Sequence, residues 1–247
     1  MKTTYKIILL FCCLSAQLFA QEKPAASSSS FEKKSIIKLN LTSLAFTNVY
    51  FQYELAFTPK SSACLGISFL PERGLPSAAV KDDPSNNAAN LTFSGWAITP
   101  EYRYHFSGKS PRGFYVAPYF RHSSYSTSGY SFTYDKSNNA GQGTVVVDGD
   151  LSATTVGLMF GAQWLIGEHF SIDWWIIGAG FGSSEVKLTG TGTFSAQDQS
   201  DIRDEFESID VPFGTMKADV DGSKVNVSYK TGMPGGRGFG LAIGYVF

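Results

Sequence analysis

The chain has 247 residues with a formal net charge of -1, 17% charged residues and 15% aromatics, whereas an ordinary soluble domain is roughly 25% charged. That balance supplies no basic surface for phosphates, so nucleic acid is excluded as an expected partner, and 3 cysteines are too few for a disulfide-knit scaffold. Beyond the N-terminus no apolar run approaches the roughly 20 residues of a spanning helix, yet a mean hydropathy of -0.05 also suits a transmembrane β-barrel, in which lipid-facing and lumen-facing residues alternate.

Lys2 and Lys6 precede the apolar stretch Ile7 to Leu14, and Leu18-Phe19-Ala20 comes before the polar Gln21-Glu22-Lys23-Pro24. This predicts a secretory signal peptide over residues 1–20. Cleavage after Ala20 removes Cys12 and Cys13 and leaves Cys64 without a disulfide partner. Residues 21–34, with serine from Ser27 to Ser30, read as a flexible leader. Residues 35–247 then form a single domain.

From Val49 to Phe57 the residues Val49, Phe51, Tyr53, Leu55 and Phe57 alternate with Tyr50, Gln52, Glu54 and Ala56, the period of a strand. The same period predicts strands at Ser35 to Phe46, Asn48 to Thr58, Ser62 to Leu70, Leu91 to Phe106, Gly113 to Thr127, Leu151 to Ile166, Phe170 to Ser183 and Arg237 to Phe247. Pro59-Lys60-Ser61, Ser107 to Arg112 and Gly167-Glu168-His169 are short turns, whereas Pro71 to Asn90, Ser128 to Asp150 and Ser184 to Gly236 are long polar connections. Short turns at one end and long loops at the other match an outer-membrane barrel; only the first outer turn, near Thr47, departs from the pattern. Pro100 and Pro118 each remove a ladder donor and predict a bulge.

The faces separate a membrane barrel from a soluble lipocalin-like barrel or a sandwich. Trp96, Ile98, Pro100, Tyr102, Tyr104 and Phe106 oppose Gly95, Ala97, Thr99, Glu101, Arg103 and His105. One face is large and apolar, and the other mixes small residues with charges, as a narrow lumen requires. Val156, Leu158, Phe160, Trp164 and Ile166 likewise oppose Thr155, Gly157, Gly161 and Gln163. Phe106, Phe114, Trp164, Phe170 and Tyr245 gather near the short turns, where an interfacial girdle belongs. By parity Lys38, Glu54, Glu101, Arg103, Arg121 and Asp173 point inward. Their charges cancel, so they are expected to form a luminal network.

The chain ends Gly238-Phe239-Gly240-Leu241-Ala242-Ile243-Gly244-Tyr245-Val246-Phe247. An export signal, alternating strands and this aromatic end resemble bacterial outer-membrane proteins. The resemblance implies that the barrel-assembly machinery reads the last strand, with Tyr245 and Phe247 as the assembly signal. Ile98-Thr99-Pro100-Glu101-Tyr102-Arg103-Tyr104-His105-Phe106, with Gly113-Phe114-Tyr115-Val116-Ala117-Pro118-Tyr119-Phe120-Arg121, further resembles a family of small uncharacterised outer-membrane proteins. That family implies no catalytic residues.

His105, His122 and His169 show no metal-ligand spacing, so neither a metal nor a cofactor is expected. His122 and Ser124 share a strand face and could pair as base and nucleophile. The short His-x-Ser is similar to that of some outer-membrane lipid A deacylases, although no acidic residue nearby in sequence is an obvious partner. Ile202, Phe206 and Ile209 sit at helical spacing within the acidic run Gln197 to Asp210, which predicts a short amphipathic helix with a solvated acidic face.

The resulting fold class is all-β, a transmembrane antiparallel up-and-down β-barrel of about eight strands in a Gram-negative outer membrane. Its expected surroundings are outer-membrane lipid, lipopolysaccharide and the barrel-assembly machinery, with an extracellular partner met through the loops. The expected role is structural or interactive. A lipid-modifying enzyme using His122 and Ser124, and a small pore, are the alternatives.

Overall fold

In the computed structural model, residues 34–74, 91–135, 141–208 and 214–247 are described; the expected signal peptide and most of the leader lie outside them. In chain order the elements are β1 (Lys34–Asn40), α1 (Leu41–Ala45), β2 (Val49–Ala56), β3 (Ser61–Gly74), β4 (Thr92–His105), β5 (Gly113–Asp135), β6 (Gln142–Ile166), β7 (Phe170–Thr191), α2 (Ala196–Ser208), β8 (Gly214–Val220), β9 (Lys224–Arg237) and β10 (Gly240–Val246). All strand pairs are antiparallel, each strand from β1 to β7 beside its successor. β10 pairs with β1 on one side and with the lower half of β7 on the other, which closes a ring of 8 strands. Closure satisfies backbone groups that an open sheet would leave bare at its edges.

The upper half of β7, from Gly178 to Thr191, passes from β10 to β9, and β8 pairs along the far side of β9. β9 and β10 are thus successive parts of one wall, interrupted at Gly238 and Phe239. The connection from Ser184 to Gly236, expected as a loop, instead contains the upper part of β7, α2, β8 and β9. Similarly, much of Ser128 to Asp150 continues β5 and β6 as a hairpin. These segments are polar on one face, which hides the alternation behind an overall hydrophilic composition.

Smaller differences have local causes. The strand expected to reach Phe46 ends at Asn40, whose side chain accepts a 2.7 Å hydrogen bond from the Ser43 amide and caps α1. The β4–β5 ladder keeps one register from Ile98↔His122 through Glu101↔Tyr119 to Tyr104↔Val116, so the bulge expected at the prolines is absent there. Register shifts occur between Leu70 and Arg73, between Thr127 and Tyr130, and opposite Phe160 and Gly161.

In the closed part, polarity is inverted relative to a water-soluble protein. Phe170, Ile177 and Phe181 project outward at more than 60% exposure, whereas Lys38, Glu54, Arg103 and Asp173 are inward and essentially sealed from solvent. Higher up, the faces exchange character. On β6 the outward positions change from Phe160, Leu158 and Val156 to Thr154, Ser152, Asp150 and Asp148, while the inward ones become Ala153, Leu151, Val147 and Val145. β5 makes the same change outward, from Phe120 to His122, Ser124 and Ser126, and β4 from Trp96 to Ser94. Below the transition the wall is apolar outside and polar inside; above it the wall has a water-soluble pattern.

Candidate functional site

The most highly organised cluster of side chains fills the lumen of the closed part. Strand parity delivers Lys38 from β1, Gln52 and Glu54 from β2, Glu101 and Arg103 from β4, Tyr115 from β5, Gln163 from β6 and Asp173 from β7 to one level. Arg103 is the hub. Its Nη1 donates to Asp173 Oδ2 at 2.6 Å and its Nη2 to Glu101 Oε2 at 3.0 Å and to Gln52 Oε1 at 2.9 Å. The guanidinium also lies 4.3 Å above the Tyr115 ring, a favourable cation–π arrangement.

Lys38 donates to Asp173 Oδ2 at 2.7 Å and to Gln163 Oε1 at 2.8 Å, and it pairs with Glu54. Tyr115 donates to Asp173 Oδ1 at 2.8 Å, so both oxygens of that carboxylate are engaged. Ser62 donates to Glu54, and His105 Nε2 lies 3.1 Å from the same hydroxyl. A charge so far from solvent is tolerable only when paired and hydrogen-bonded, and this arrangement meets that condition across facing walls.

Five of the six charges expected in the lumen belong to the network. Arg121 stands apart: it is half-buried and donates to two neutral oxygens, Thr99 Oγ1 at 3.1 Å and Tyr125 Oη at 3.4 Å. The third cation is Arg237, which pairs with Glu101, donates to Tyr50 Oη at 3.1 Å and stacks over Trp175 at 4.2 Å. Lys38, Arg103 and Arg237 thus balance Glu54, Glu101 and Asp173.

Arg237 escapes sequence reading because inward positions are odd in β9 and even in β10, the parity changing across Gly238 and Phe239. Unbroken alternation would place Arg237 on the face of Leu241 and Ile243. An arginine on a lipid-exposed face is costly, and that cost is the signal that could have located the break.

Two small residues allow bulky ring systems to fill this lumen. A Cβ on Gly161 would lie 2.8 Å from the Trp174 carbonyl oxygen and would also collide with Tyr115. Gly157 leaves similar room for Tyr119. Cys64 is a buried free thiol on the inner face of β3.

His122 and Ser124 both project outward where the outer wall turns polar. His122 Nδ1 lies 2.9 Å from Thr154 Oγ1, and its ring packs on Trp96 at 5.5 Å. The nitrogen that a catalytic triad would give to a carboxylate is therefore engaged by a hydroxyl. In α2, Asp198 accepts from the amide and hydroxyl of Ser195 at 2.9 and 2.7 Å, and Asp201 accepts from Gln197 at 2.7 Å. The helix forms over Ala196–Ser208, but Asp198 is buried instead of lying on a solvated face. Among the described residues no group of His, Cys, Asp and Glu could hold a metal. Ile209 lies outside the described residues.

At the opposite end Tyr245 stacks on His169 at 5.8 Å and on Phe247 at 6.5 Å and meets Phe170 edge-on at 6.2 Å. The backbone of Phe247 exchanges two hydrogen bonds with Ser35, at 3.1 and 2.9 Å, joining the chain end to β1. Phe106, Phe114, Trp164 and Phe170 are exposed around the same end. No curated protein matches the chain. No solved structure matches it either. A family model described as "Protein of unknown function (DUF3575)" matches residues 7–203, and the chain belongs to that family.

Proposed function

We propose that the protein is a Gram-negative outer-membrane barrel, exported by its N-terminal signal, closed by its luminal ion network and acting through its outer extension as a structural or surface-interaction protein. The observation that carries this reading is the exchange of wall polarity at one level. Between Ile166 and Val156, β6 rises roughly 26 Å for about 3.4 Å per residue and a tilt of about 40°. That height matches the apolar band of about 25 Å of outer-membrane barrels, and the outward face turns polar immediately above it. Exposed aromatics at the short-turn end suit a girdle, and Tyr245 and Phe247 at the chain end suit recognition by the barrel-assembly machinery.

The filled lumen supports a closed barrel over a pore, and a hydroxyl in place of a carboxylate at His122 Nδ1 weighs against the lipid-modifying alternative. Outer-membrane lipid and lipopolysaccharide are then its surroundings rather than substrates, and its partner meets the outer extension. Membrane fractionation with heat-modifiable gel mobility tests the location: recovery with outer-membrane porins is expected, and a soluble periplasmic pool of folded protein would overturn it. Incubation with lipopolysaccharide tests the role, since His122-dependent loss of an acyl chain by mass spectrometry would establish the enzyme instead.

A further inference from the structure

Above the transition in wall polarity, β4, β5, β6, β7 and β9 turn apolar faces toward each other, and α2 approaches from the side of β8. Between them lies a cavity of about 730 Å³, walled by residues that include Phe93, Val145, Val147, Leu188, Ile202 and Val227. The luminal network does not use it. Parity shows that it is built into the fold: on β6, Val147 faces the cavity while its neighbour Val146 faces out at 40% exposure.

We infer that this chamber is a binding site for a neutral, largely hydrocarbon small molecule. Its volume lies within the roughly 300–1,000 Å³ of ordinary ligand pockets, and a ligand that covers its apolar lining removes that surface from water. The polar groups define the class further. The Thr127 hydroxyl, on the cavity wall, is buried and has no hydrogen-bond partner among the described residues, so it offers one polar contact within hydrocarbon. Among the described residues the only charged side chain on the cavity wall is Asp201, which is exposed to solvent and accepts from Gln197. The described wall residues supply no cation to pair an anionic headgroup, and an unpaired charge in apolar surroundings is costly, which disfavours fatty acids and phosphorylated lipids and favours an uncharged ligand.

This inference goes beyond the surface role by naming what the extension holds, and its test reads insertion and binding separately. Protein in lipid nanodiscs is titrated with N-phenyl-1-naphthylamine, an uncharged aromatic amine, with empty nanodiscs as the baseline; heat-modifiable mobility reports the folded barrel. The expected result is a saturable fluorescence increment of one site per chain. 8-Anilinonaphthalene-1-sulfonate, which adds a negative charge to a similar ring system, should bind at least tenfold more weakly. Val147→Arg, which puts a long charged side chain into the chamber, should abolish the increment, whereas Val146→Arg, on the opposite face of the same strand, should leave it intact.

Absence of a saturable increment in folded wild-type protein would overturn the proposal, as would equal losses in the two arginine variants or equal affinity for the two dyes. Binding that emerges only when residues 75–90 are replaced by a short Gly/Ser linker would mean that the chain fills its own chamber, and that too would overturn it.

Discussion

At the scale of single residues, the lumen separates two arginines that look alike in sequence. Arg103 contacts Asp173, Glu101 and Gln52 and covers Tyr115, fully removed from solvent. Arg103→Ala leaves carboxylates buried and uncompensated and should destabilise the barrel by roughly 3 kcal/mol. Arg121→Ala removes bonds to two neutral oxygens from a half-buried position, and about 1 kcal/mol is expected. Denaturant unfolding followed by tryptophan fluorescence checks both; an Arg103→Ala curve that overlays the wild type would refute the hub assignment.

Gly161→Val tests packing at the same level. The added methyl groups meet the Tyr115 ring and the Trp174 carbonyl, so a loss of about 1–3 kcal/mol is expected, read in the same unfolding experiment. In the β8–β9 turn the Asp221 carboxylate accepts from the Ser223 and Lys224 amides, each at 2.7 Å, and these bonds hold its pKa below the usual carboxylate value. A lowered pKa in the folded state stabilises above the unfolded value and is lost as pH falls through the folded one. Amide exchange at Ser223 and Lys224 should therefore accelerate only below the ordinary carboxylate range, and in Asp221→Ala at every pH.

Among the elements, the last strand and the outer extension make separable predictions. β10 seals the ring by pairing with both β1 and β7, and Phe247 extends that contact to Ser35. Deletion of Phe247 should slow assembly, seen as accumulation of the heat-unmodified form in a pulse-chase, by more than deletion of residues 21–33 does. Equal rates for wild type and the Phe247 deletion would remove the assembly role. Above the apolar band, the pairing of β7 with β9 protects the backbone of most of what the sequence presents as one long loop. Protease added to intact cells should cut between Gly192 and Ser223 rather than throughout residues 184–236. Cleavage of sealed cells at Ser107 to Arg112 would invert the topology.

For the whole molecule, the decisive property is that the charges of the lumen are mutually neutralised across the ring. Eight strands enclose little more than side-chain volume, and Lys38, Arg103 and Arg237 tie opposite walls through Glu54, Glu101 and Asp173. Negligible steady conductance is expected in planar bilayers. Large, long-lived channels from the wild-type protein would show that the network does not seal the barrel.

The local pattern of the sequence is sufficient for the lower barrel. In β2, β4 and the lower half of β6, period-two alternation places Glu54, Glu101, Arg103 and Gln163 inside and Phe51, Tyr102 and Phe160 outside, because one uninterrupted pleat fixes every side chain in it. The membership of the ion network and the form of the outer extension depend on contacts distant in sequence. Arg237 replaces Arg121 in the network because the wall breaks at Gly238 and Phe239 and shifts parity by one residue, which only closure against β1 and β7 reveals. The extension looks like loop because a strand that is apolar inside and polar outside has an unremarkable average polarity. The partner that identifies it as strand, β7 with β9 or β5 with β6, is recognised only when the two are brought together.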